Sequence, residues 1–409
     1  MKTITKRIAL TAMAVGASLS FTTGVVSAQT QEPIKIGLVL AKQGTWGEVG
    51  GMAAASAEIA VQQAGGKVLG RPIETIWYDE GSPQGAQQNM TKLIDQDKVV
   101  AVVGGSNSGT GLAMASVAKQ AKIPFVITAA AARELTGSLC NRYTFRSELP
   151  TPVAARALSP TLLRRGKDWY YLVGNYAYGT DTHSAFAQQL KKAGGTEKGL
   201  DLVPVGTSDF SSYILKIKGV KPSVVIVGMG GTDQINFLKQ WAEYGMKDGP
   251  LLATPITSDT SFWAAGPTAT TGSYGMSWHY SDPTNAAADK EFVKLYIRKT
   301  GRPPAIEGWL GWVSMRMLIQ SIANAGSTQP AAIVSSLETQ VMDPKGSPYY
   351  FRKWDHQLIH QVLVTKAGPP TTSDKWNVIT ILDKEPKSLA QPDEYYGTPQ
   401  EIGCTLEPL

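Results

Sequence analysis

Short apolar runs alternate with longer amphipathic stretches through most of the chain. Nearly every position within these runs is apolar, which is typical of strands that are covered on both faces in a parallel sheet. The first series predicts strands at 34–41, 73–79, 99–105 and 123–130, with helices at about 47–64, 85–97 and 109–121. This order of elements predicts a doubly wound α/β lobe.

The same alternation starts again further along the chain. It predicts strands at 169–175, 200–206, 223–229 and 250–257, followed by helices at about 287–300 and 306–325 and, from Val341 onward, by short strands and turns. A chain of 409 residues is long enough for two lobes that each bury a core of their own. A second doubly wound lobe is therefore predicted.

Two stretches interrupt both periodicities and predict crossings between the lobes. One is 143–158, which contains Pro150 and Pro152, and the other lies near 277–285. We therefore expect two parallel-sheet lobes joined by a multi-strand hinge. Since open α/β sheets bind ligands beyond the carboxyl ends of their strands, the site is expected in the cleft between the lobes. The expected boundaries are 29–149 plus 282–345 for the first lobe, 150–281 plus 346–395 for the second, and 396–409 for a tail that returns to the first lobe.

The first residues follow a different pattern. Basic residues near the start precede a short apolar stretch, and residues 26–28 have the spacing of small residues at a cleavage site. This pattern predicts a secretory signal peptide over residues 1–28, cleaved after Ala28. A membrane anchor is the alternative, but the apolar stretch is short and no stop-transfer sequence follows it.

Charge and cysteine content narrow the function classes. The formal net charge is +6, and because three of the positive charges lie in the signal segment, the exported chain carries about +3. That charge is too small to indicate a nucleic-acid partner. Cys140 and Cys404 lack the CxxC spacing of metal and redox sites, so in an exported protein they favour a disulfide.

The segment VVGGSNSGTGLA, residues 102–113, leads from a predicted strand through hydroxyl, amide and glycine residues into a predicted helix. It lacks the GxxxxGK spacing of a phosphate loop, and it has asparagine where a GxSxG nucleophile motif has serine. His356 and His360 are four residues apart but lack the glutamate of a zinc protease and lie in a strand-like stretch. No metal or cofactor is therefore predicted.

What the loop does indicate is binding of an anion. Backbone N–H groups at the start of a helix are unpaired and favour negative charge. Ser106, Asn107 and Ser108 add side-chain donors at this point. The simpler alternative is an ordinary N-cap, in which Asn107 or Ser108 only starts the helix.

Several motifs together resemble the Leu/Ile/Val-binding protein family, the type I periplasmic substrate-binding proteins of branched-chain amino acid type ABC transporters. They are IKIGLVLAKQGTWGEVGG, EIAVQQAGGKVLGRPIE, GGSNSGTGLA, IPFVITAAAARELTG, NYAYGTDTHSAF and VGTSDFSSYILKIK. The resemblance covers essentially the whole exported chain. It is strongest to a branch that carries cysteines as in LTGSLC and EIGC, and this branch is associated with aromatic and acyl acids as well as amino acids.

The resemblance implies a periplasmic receptor without enzymatic activity or cofactor, monomeric, which closes around a small solute and delivers it to an inner-membrane permease. The first lobe would supply the anion site, and the second would add contacts on closure. The implied ligand contacts are Thr45, Trp46, Ser106, Asn107, Ser108, Ala129, Ala130, Ala131, Tyr178, Gly230, Ile256, Thr257, Ser258 and Trp278.

Departures from the amino acid binders indicate the ligand class. Ala131 stands where they have threonine, and Gly230 stands where they often have an aromatic residue. Asp259 is the one acid near the position of their ammonium partner and lies two or three residues late, so no partner for an ammonium group is evident. Trp46, Trp278 and Gly230 predict a broad apolar or aromatic wall with room beside it. We therefore expect an aromatic or acyl carboxylate to bind better than leucine, isoleucine or valine. An amino acid binder and a ligand-sensing module for a membrane receptor are alternatives. A hydrolase using serine at 106 or 108 would need a base that the sequence does not offer.

Overall fold

The computed structural model describes residues 32–266, 272–343, 348–370 and 372–409, together with Met1 and Thr3. The predicted signal peptide and its cleavage site otherwise lie outside the described residues. The account below concerns the unit Glu32–Leu409. Within the described ranges, no helix combines the length and the apolar character needed to span a bilayer.

Six strands form the sheet at the centre of what we call lobe 1. Their order is β2-β3-β1-β4-β5-β6, and all pairs are parallel except β2 with β3. The side chains of β1, β4, β5 and β6 are almost entirely buried, as expected for strands covered on both faces. The strands are β1 Ile34–Leu40, β2 Lys67–Val68, β3 Arg71–Asp79, β4 Ala101–Gly104, β5 Phe125–Ile127 and β6 Thr144–Arg146.

Seven strands form the sheet of lobe 2, in the order β15-β14-β11-β10-β9-β7-β8. The first five along the chain pair in parallel, and β14 and β15 extend the sheet with antiparallel pairs. A short hairpin, β12–β13, lies between. The strands are β7 Asp168–Gly174, β8 Thr196–Val203, β9 Val224–Gly228, β10 Leu251–Thr254, β11 Gly272–Met276, β12 Tyr350–Phe351, β13 Leu358–Ile359, β14 Val362–Ala367 and β15 Ile379–Glu385. The predicted α/β class with two doubly wound, mainly parallel sheets is confirmed.

The helices pack on these sheets, and α10, buried along most of its length, lies against α1. The predicted helices at 287–300 and 306–325 are present with those bounds. The helices are α1 Gly47–Gln63, α2 Pro83–Asp95, α3 Ser108–Ala121, α4 Thr151–Arg165, α5 Ala177–Lys192, α6 Ser211–Val220, α7 Gly231–Glu243, α8 Asp259–Ala265, α9 Ala287–Thr300, α10 Ile306–Ala325, α11 Pro330–Leu337, α12 Pro392–Tyr396 and α13 Pro399–Ile402.

The chain passes between the two sheets along segments that contact one another. The first follows β6, the second follows β11, and the third lies between α11 and β14. The Ser277 hydroxyl of the second segment donates a hydrogen bond to Glu148 in the first, and Arg146 forms a β-bridge with Gln357 of the third. These contacts form the multi-strand hinge.

Cys140 and Cys404 form the predicted disulfide, with their Cα atoms 5.7 Å apart. Cys140 lies between β5 and β6 in lobe 1, and Cys404 follows α13. The bond therefore holds the C-terminal segment against lobe 1.

Candidate functional site

Loops at the carboxyl ends of the two sheets enclose a cavity between the lobes. The volume of this cavity that is accessible to water is about 80 Å³. A single water molecule needs roughly 10–15 Å³ on the same scale. A small organic molecule therefore fits. Of the predicted contacts, the cavity is lined by Thr45, Trp46, Ser106, Asn107, Ser108, Ala129, Ala131, Tyr178, Gly230, Ile256, Thr257 and Ser258.

Ser108, the first residue of α3, presents a hydroxyl whose acceptor capacity is already used. Its Oγ accepts hydrogen bonds from the backbone N–H groups of Ala131 (3.0 Å) and Ala132 (3.1 Å). A serine hydroxyl has two lone pairs and one hydrogen, so only the hydrogen remains to be shared. Because Ser108 is a cavity residue, this hydroxyl is suited to donate to a ligand that accepts, such as a carboxylate.

The buried carboxyl group of Glu80 holds the loop at residues 106–110 in place. It accepts hydrogen bonds from the Ser106 backbone N–H (2.7 Å), the Asn107 side-chain amide (3.3 Å) and the Thr110 hydroxyl. The Asn107 Oδ1 accepts from the Thr110 N–H (3.1 Å) and so caps α3. The N-cap interpretation is thus correct for Asn107, whose amide organises the loop. Burial raises the pKa of Glu80 to about 7.

Three carboxyl groups line the cavity: that of Glu48 is exposed and paired with Arg302, whereas those of Glu148 and Glu307 are buried. The Ser258 hydroxyl donates to Glu307 (2.8 Å), and the Ser277 hydroxyl donates to Glu148. Burial raises the pKa of Glu148 to about 7 and that of Glu307 to about 8, from an ordinary value of 4.5. Near neutral pH both groups therefore exchange easily between the neutral and the ionised form.

Asp259, the acid nearest the expected position of an ammonium partner, does not line the cavity. Asp259 begins α8, and its Oδ1 lies 3.0 Å from the Nε2 of His279, with both side chains fully buried away from the cavity. The two buried acids that line the cavity, Glu148 and Glu307, come from the hinge and from the first turn of α10. A sequence signal for them is weak, because Glu307 resembles an ordinary acidic residue at a helix start and Glu148 stands in an irregular stretch.

Trp278 and Ala130 are not brought to the cavity, which corrects two of the predicted contacts. The Trp278 indole stacks on Trp309 at 5.9 Å, and its N–H donates to Asp289 (3.0 Å) behind the hinge. A buried indole needs an acceptor for its N–H, and α9 supplies one there. Ala130 is fully buried beneath the loop, with its methyl group against Gly111.

Aromatic side chains form much of the remaining wall. Trp46 meets Tyr176 edge to face at 5.7 Å, and Tyr178 lies beside Tyr176. The indole of Trp46 also covers Gly230, where a Cβ atom would lie 2.9 Å from its ring. The room expected beside Gly230 is therefore filled by Trp46, and Tyr176 is an aromatic lining residue that the sequence analysis did not single out.

Among the described residues, no three His, Cys, Asp or Glu side chains cluster as a metal site would require. His356 and His360 are separately engaged, the first with Glu338 and the second with the Ser147 carbonyl. No histidine stands beside the cavity serines to act as a base. Two α/β lobes around an enclosed, polar and aromatic cavity define a two-lobed binding protein for small molecules.

The family model described as periplasmic binding protein matches residues 33–373, and the chain belongs to this family. Among its relatives is the Leu/Ile/Val-binding protein homolog 6 of Brucella melitensis biotype 1, which is 24% identical over 343 residues, covering 80% of this chain and 84% of the relative. This is a family of substrate-binding transport proteins and not of enzymes, and membership in it implies a periplasmic location.

Solved structures show the same fold. A periplasmic binding protein from Burkholderia mallei is 25% identical with a TM-score of 0.84, covering 91% of this chain and 98% of its own. A solute-binding protein of an ABC transporter from Rhodopseudomonas palustris, in complex with 3,4-dihydroxybenzoic acid, is 22% identical with a TM-score of 0.78, covering 86% and 97%. The predicted family resemblance is thereby confirmed.

Proposed function

We propose that this protein is the receptor of an ABC importer and that it binds a small organic carboxylate in the cleft between its lobes. The observation that carries the proposal is the Ser108 hydroxyl, whose oxygen accepts two backbone N–H groups and whose hydrogen remains for the ligand. It stands at the first turn of α3, where the helix dipole also favours negative charge. A carboxylate satisfies both requirements.

Within that class, aromatic and medium acyl acids are favoured. The rings of Trp46, Tyr176 and Tyr178, together with Met229 and Ile256, supply an apolar wall opposite the anion site. Burying a ring against such a wall contributes about 25 cal/mol per Å². The same fold accommodates 3,4-dihydroxybenzoic acid in the Rhodopseudomonas palustris protein.

An α-amino acid is the second candidate, and Glu148 and Glu307 are the observation that favours it. An ammonium group buried without a partner costs several kcal/mol, and either glutamate supplies one when ionised. The premise that the cavity has no partner for an ammonium group therefore does not hold, and the choice between the two classes rests on measurement.

A binding panel tests both candidates by calorimetry and thermal shift. We expect benzoate, 4-hydroxybenzoate or a medium-chain acyl acid to bind more tightly than leucine, isoleucine or valine. Ser108→Ala should weaken binding by about 1–3 kcal/mol, the range for a hydrogen bond to a charged group. Ser335→Ala, on the exposed side of α11, is the matched control and should change nothing. Tight binding of an aliphatic amino acid, with no response to any acid, would favour the second candidate.

Delivery to a permease is the expected use of the bound ligand, with closure of the lobes as the mechanism. A ligand that contacts both lobes stabilises the closed conformation by its additional affinity for that state. A sensing module would use the same site and differ only in its membrane partner. Co-purification with an ABC permease supports import, and co-purification with a membrane receptor instead would contradict it.

A further inference from the structure

A second cavity lies behind the hinge. It is bounded by residues 277–286, the first turn of α9, strand β12 and the segment that follows β15. The volume of this cavity that is accessible to water is about 500 Å³. It shares no lining residue with the cleft cavity. It therefore offers a separate place for a small molecule.

Aromatic rings make up its deep wall. Trp278 and Trp309 stack with their planes 8° apart, and Tyr349 meets Trp309 edge to face at 6.3 Å. Tyr350 stands half-exposed at the edge of the cavity. Such a group of electron-rich rings in a small space is the setting in which organic cations are held by cation–π attraction.

A carboxylate, that of Asp289, lies among these rings. Its Oδ1 accepts the indole N–H groups of both Trp278 (3.0 Å) and Trp309 (2.7 Å). Arg316, whose charge acts on Asp289, is already paired with Asp343 at 2.8 Å. The carboxylate is thus oriented by two neutral donors and has no cation in direct contact. Burial raises its pKa to about 6, so it is largely ionised at neutral pH.

The basic residues at the mouth do not reverse this charge. Lys384 is paired with Asp282 (2.6 Å), and Lys387 is paired with Asp383 and Glu385 (3.1 Å to the latter). Of the charged groups that line the cavity, the carboxylates of Asp282 and Asp289 are equal in number to the ammonium groups of Lys384 and Lys387. Both ammonium groups are engaged by carboxylates, so Asp289 is the lining carboxylate that a bound cation would complement.

We propose that the hinge cavity binds a small organic ammonium ion, with the cation held between the aromatic rings and the Asp289 carboxylate. The site does not depend on the ligand proposed for the cleft, since the two cavities share no residues. Its occupant has an apolar surface, as a methylated amine does, because the polar groups of the wall already have partners.

Choline and its uncharged isostere 3,3-dimethyl-1-butanol test the proposal, because they differ in charge and hardly in shape. Native mass spectrometry should show one choline per chain in addition to any cleft ligand. Calorimetry should show choline binding at least about tenfold more tightly than the alcohol, as expected for a desolvated cation–π contact. Equal binding of the alcohol, or no binding of choline, would overturn the proposal.

Two variants locate the bound cation. Asp289→Asn keeps an acceptor for the indoles but removes the charge. Tyr350→Ala removes a partly exposed ring that packs on the edge of a core cluster, so thermal unfolding checks that this variant is folded. Each should weaken choline binding at least about tenfold while cleft binding is unchanged. Ser108→Ala should leave choline binding as it is. A loss of choline binding in Ser108→Ala, with Asp289→Asn unaffected, would place choline in the cleft and refute the second site.

Discussion

Arg133 contacts Asp181 with two of its groups. Its backbone N–H donates to Asp181 Oδ2 at 2.9 Å, and its guanidinium Nε donates to Oδ1. Arg133 belongs to the single turn between β5 and β6 in lobe 1, whereas Asp181 lies on α5 in lobe 2. An ion pair between the lobes stabilises only the conformation in which they touch. The Arg133–Asp181 pair therefore stabilises the closed conformation of the cleft.

Removing one partner of the Arg133–Asp181 pair should lower ligand affinity although no ligand contact is changed. For Arg133→Gln we expect a loss of about 0.5–1 kcal/mol, because the arginine side chain is 37% exposed and solvent screens the pair. The loss should appear as faster dissociation in stopped-flow measurements. Arg164→Gln, an exposed arginine at the end of α4, is the matched control. An unchanged dissociation rate in Arg133→Gln would show that the pair does not stabilise closure.

A second close contact between the lobes is made by a glycine, Gly231. Gly231 has φ +61°, and a Cβ atom there would overlap the carbonyl oxygen of Thr45 in lobe 1. Gly231→Ala should therefore lower ligand affinity at least about tenfold, because the overlap with Thr45 opposes contact between the lobes. The left-handed backbone costs a further roughly 1–2 kcal/mol of folding stability whether the cleft is open or closed. Small-angle scattering should show a larger share of open molecules.

Gly219→Ala is the control for that substitution. Gly219 lies on the exposed face of α6 with open space around it, so alanine should raise stability by about 0.5–1 kcal/mol and leave binding unchanged. If Gly231→Ala binds ligand as tightly as the wild type, the contact with Thr45 is not part of the binding conformation.

The ligand-free protein should become less stable as the pH rises from about 5 to 8. The folded-state pKa values of Glu148 and Glu307 are raised to about 7 and about 8 from an ordinary 4.5, so the folded chain holds protons that the unfolded chain has released. Their stabilising effect is complete below about pH 4.5 and is lost as the pH passes through the raised values. Each group contributes on the order of 1–3 kcal/mol to this loss.

Denaturant unfolding at several pH values measures the effect. Glu148→Gln and Glu307→Gln keep the shape of each side chain and remove its titration, so each should flatten the curve between about pH 5 and 8. Glu401→Gln, on the exposed turn of α13, should leave the slope unchanged. Glu80, whose pKa is also raised to about 7, leaves part of the slope in the double variant. A slope as steep as that of the wild type would assign the pH dependence to groups other than Glu148 and Glu307.

The disulfide should be complete in the mature protein. Non-reducing mass analysis should show two hydrogens missing and no alkylatable thiol after denaturation, because Cys140 and Cys404 are the two cysteines of the chain. Their sequence separation of 264 residues corresponds to about 5 kcal/mol in chain-entropy models. The double variant to serine should therefore unfold at a lower temperature, and two reactive thiols in periplasmic protein would contradict the pairing.

Elements with strong periodicity could be predicted closely from the sequence. The helices at 287–300 and 306–325 have the predicted bounds, and the predicted strand at 34–41 is present as Ile34–Leu40. The predicted strand at 123–130 is shorter, Phe125–Ile127, because the chain leaves the sheet there to form the loop that binds Ser108. Apolar composition continues past the point where pairing stops, so composition alone overestimated its length.

The candidate site could be predicted where it lies next to a predicted strand. Ser106 and Ser108 follow β4 directly, and Tyr178 follows β7, so the rule for open α/β sheets located them. Glu148 and Glu307 come from the hinge and from a helix packed on the other lobe, and only the tertiary fold brings them together. Trp278 follows β11 in the same way as the correct residues, but its indole turns to the acceptor behind the hinge.

The three buried carboxyl groups around the cleft, those of Glu80, Glu148 and Glu307, have raised pKa values close to neutrality. An arriving carboxylate raises these values further, since a like charge disfavours ionisation. Capture of an organic anion is thereby coupled to uptake of protons from the medium, and calorimetry in buffers of different ionisation enthalpy counts them. For the proposed carboxylate ligand, acidification of the surroundings therefore strengthens capture.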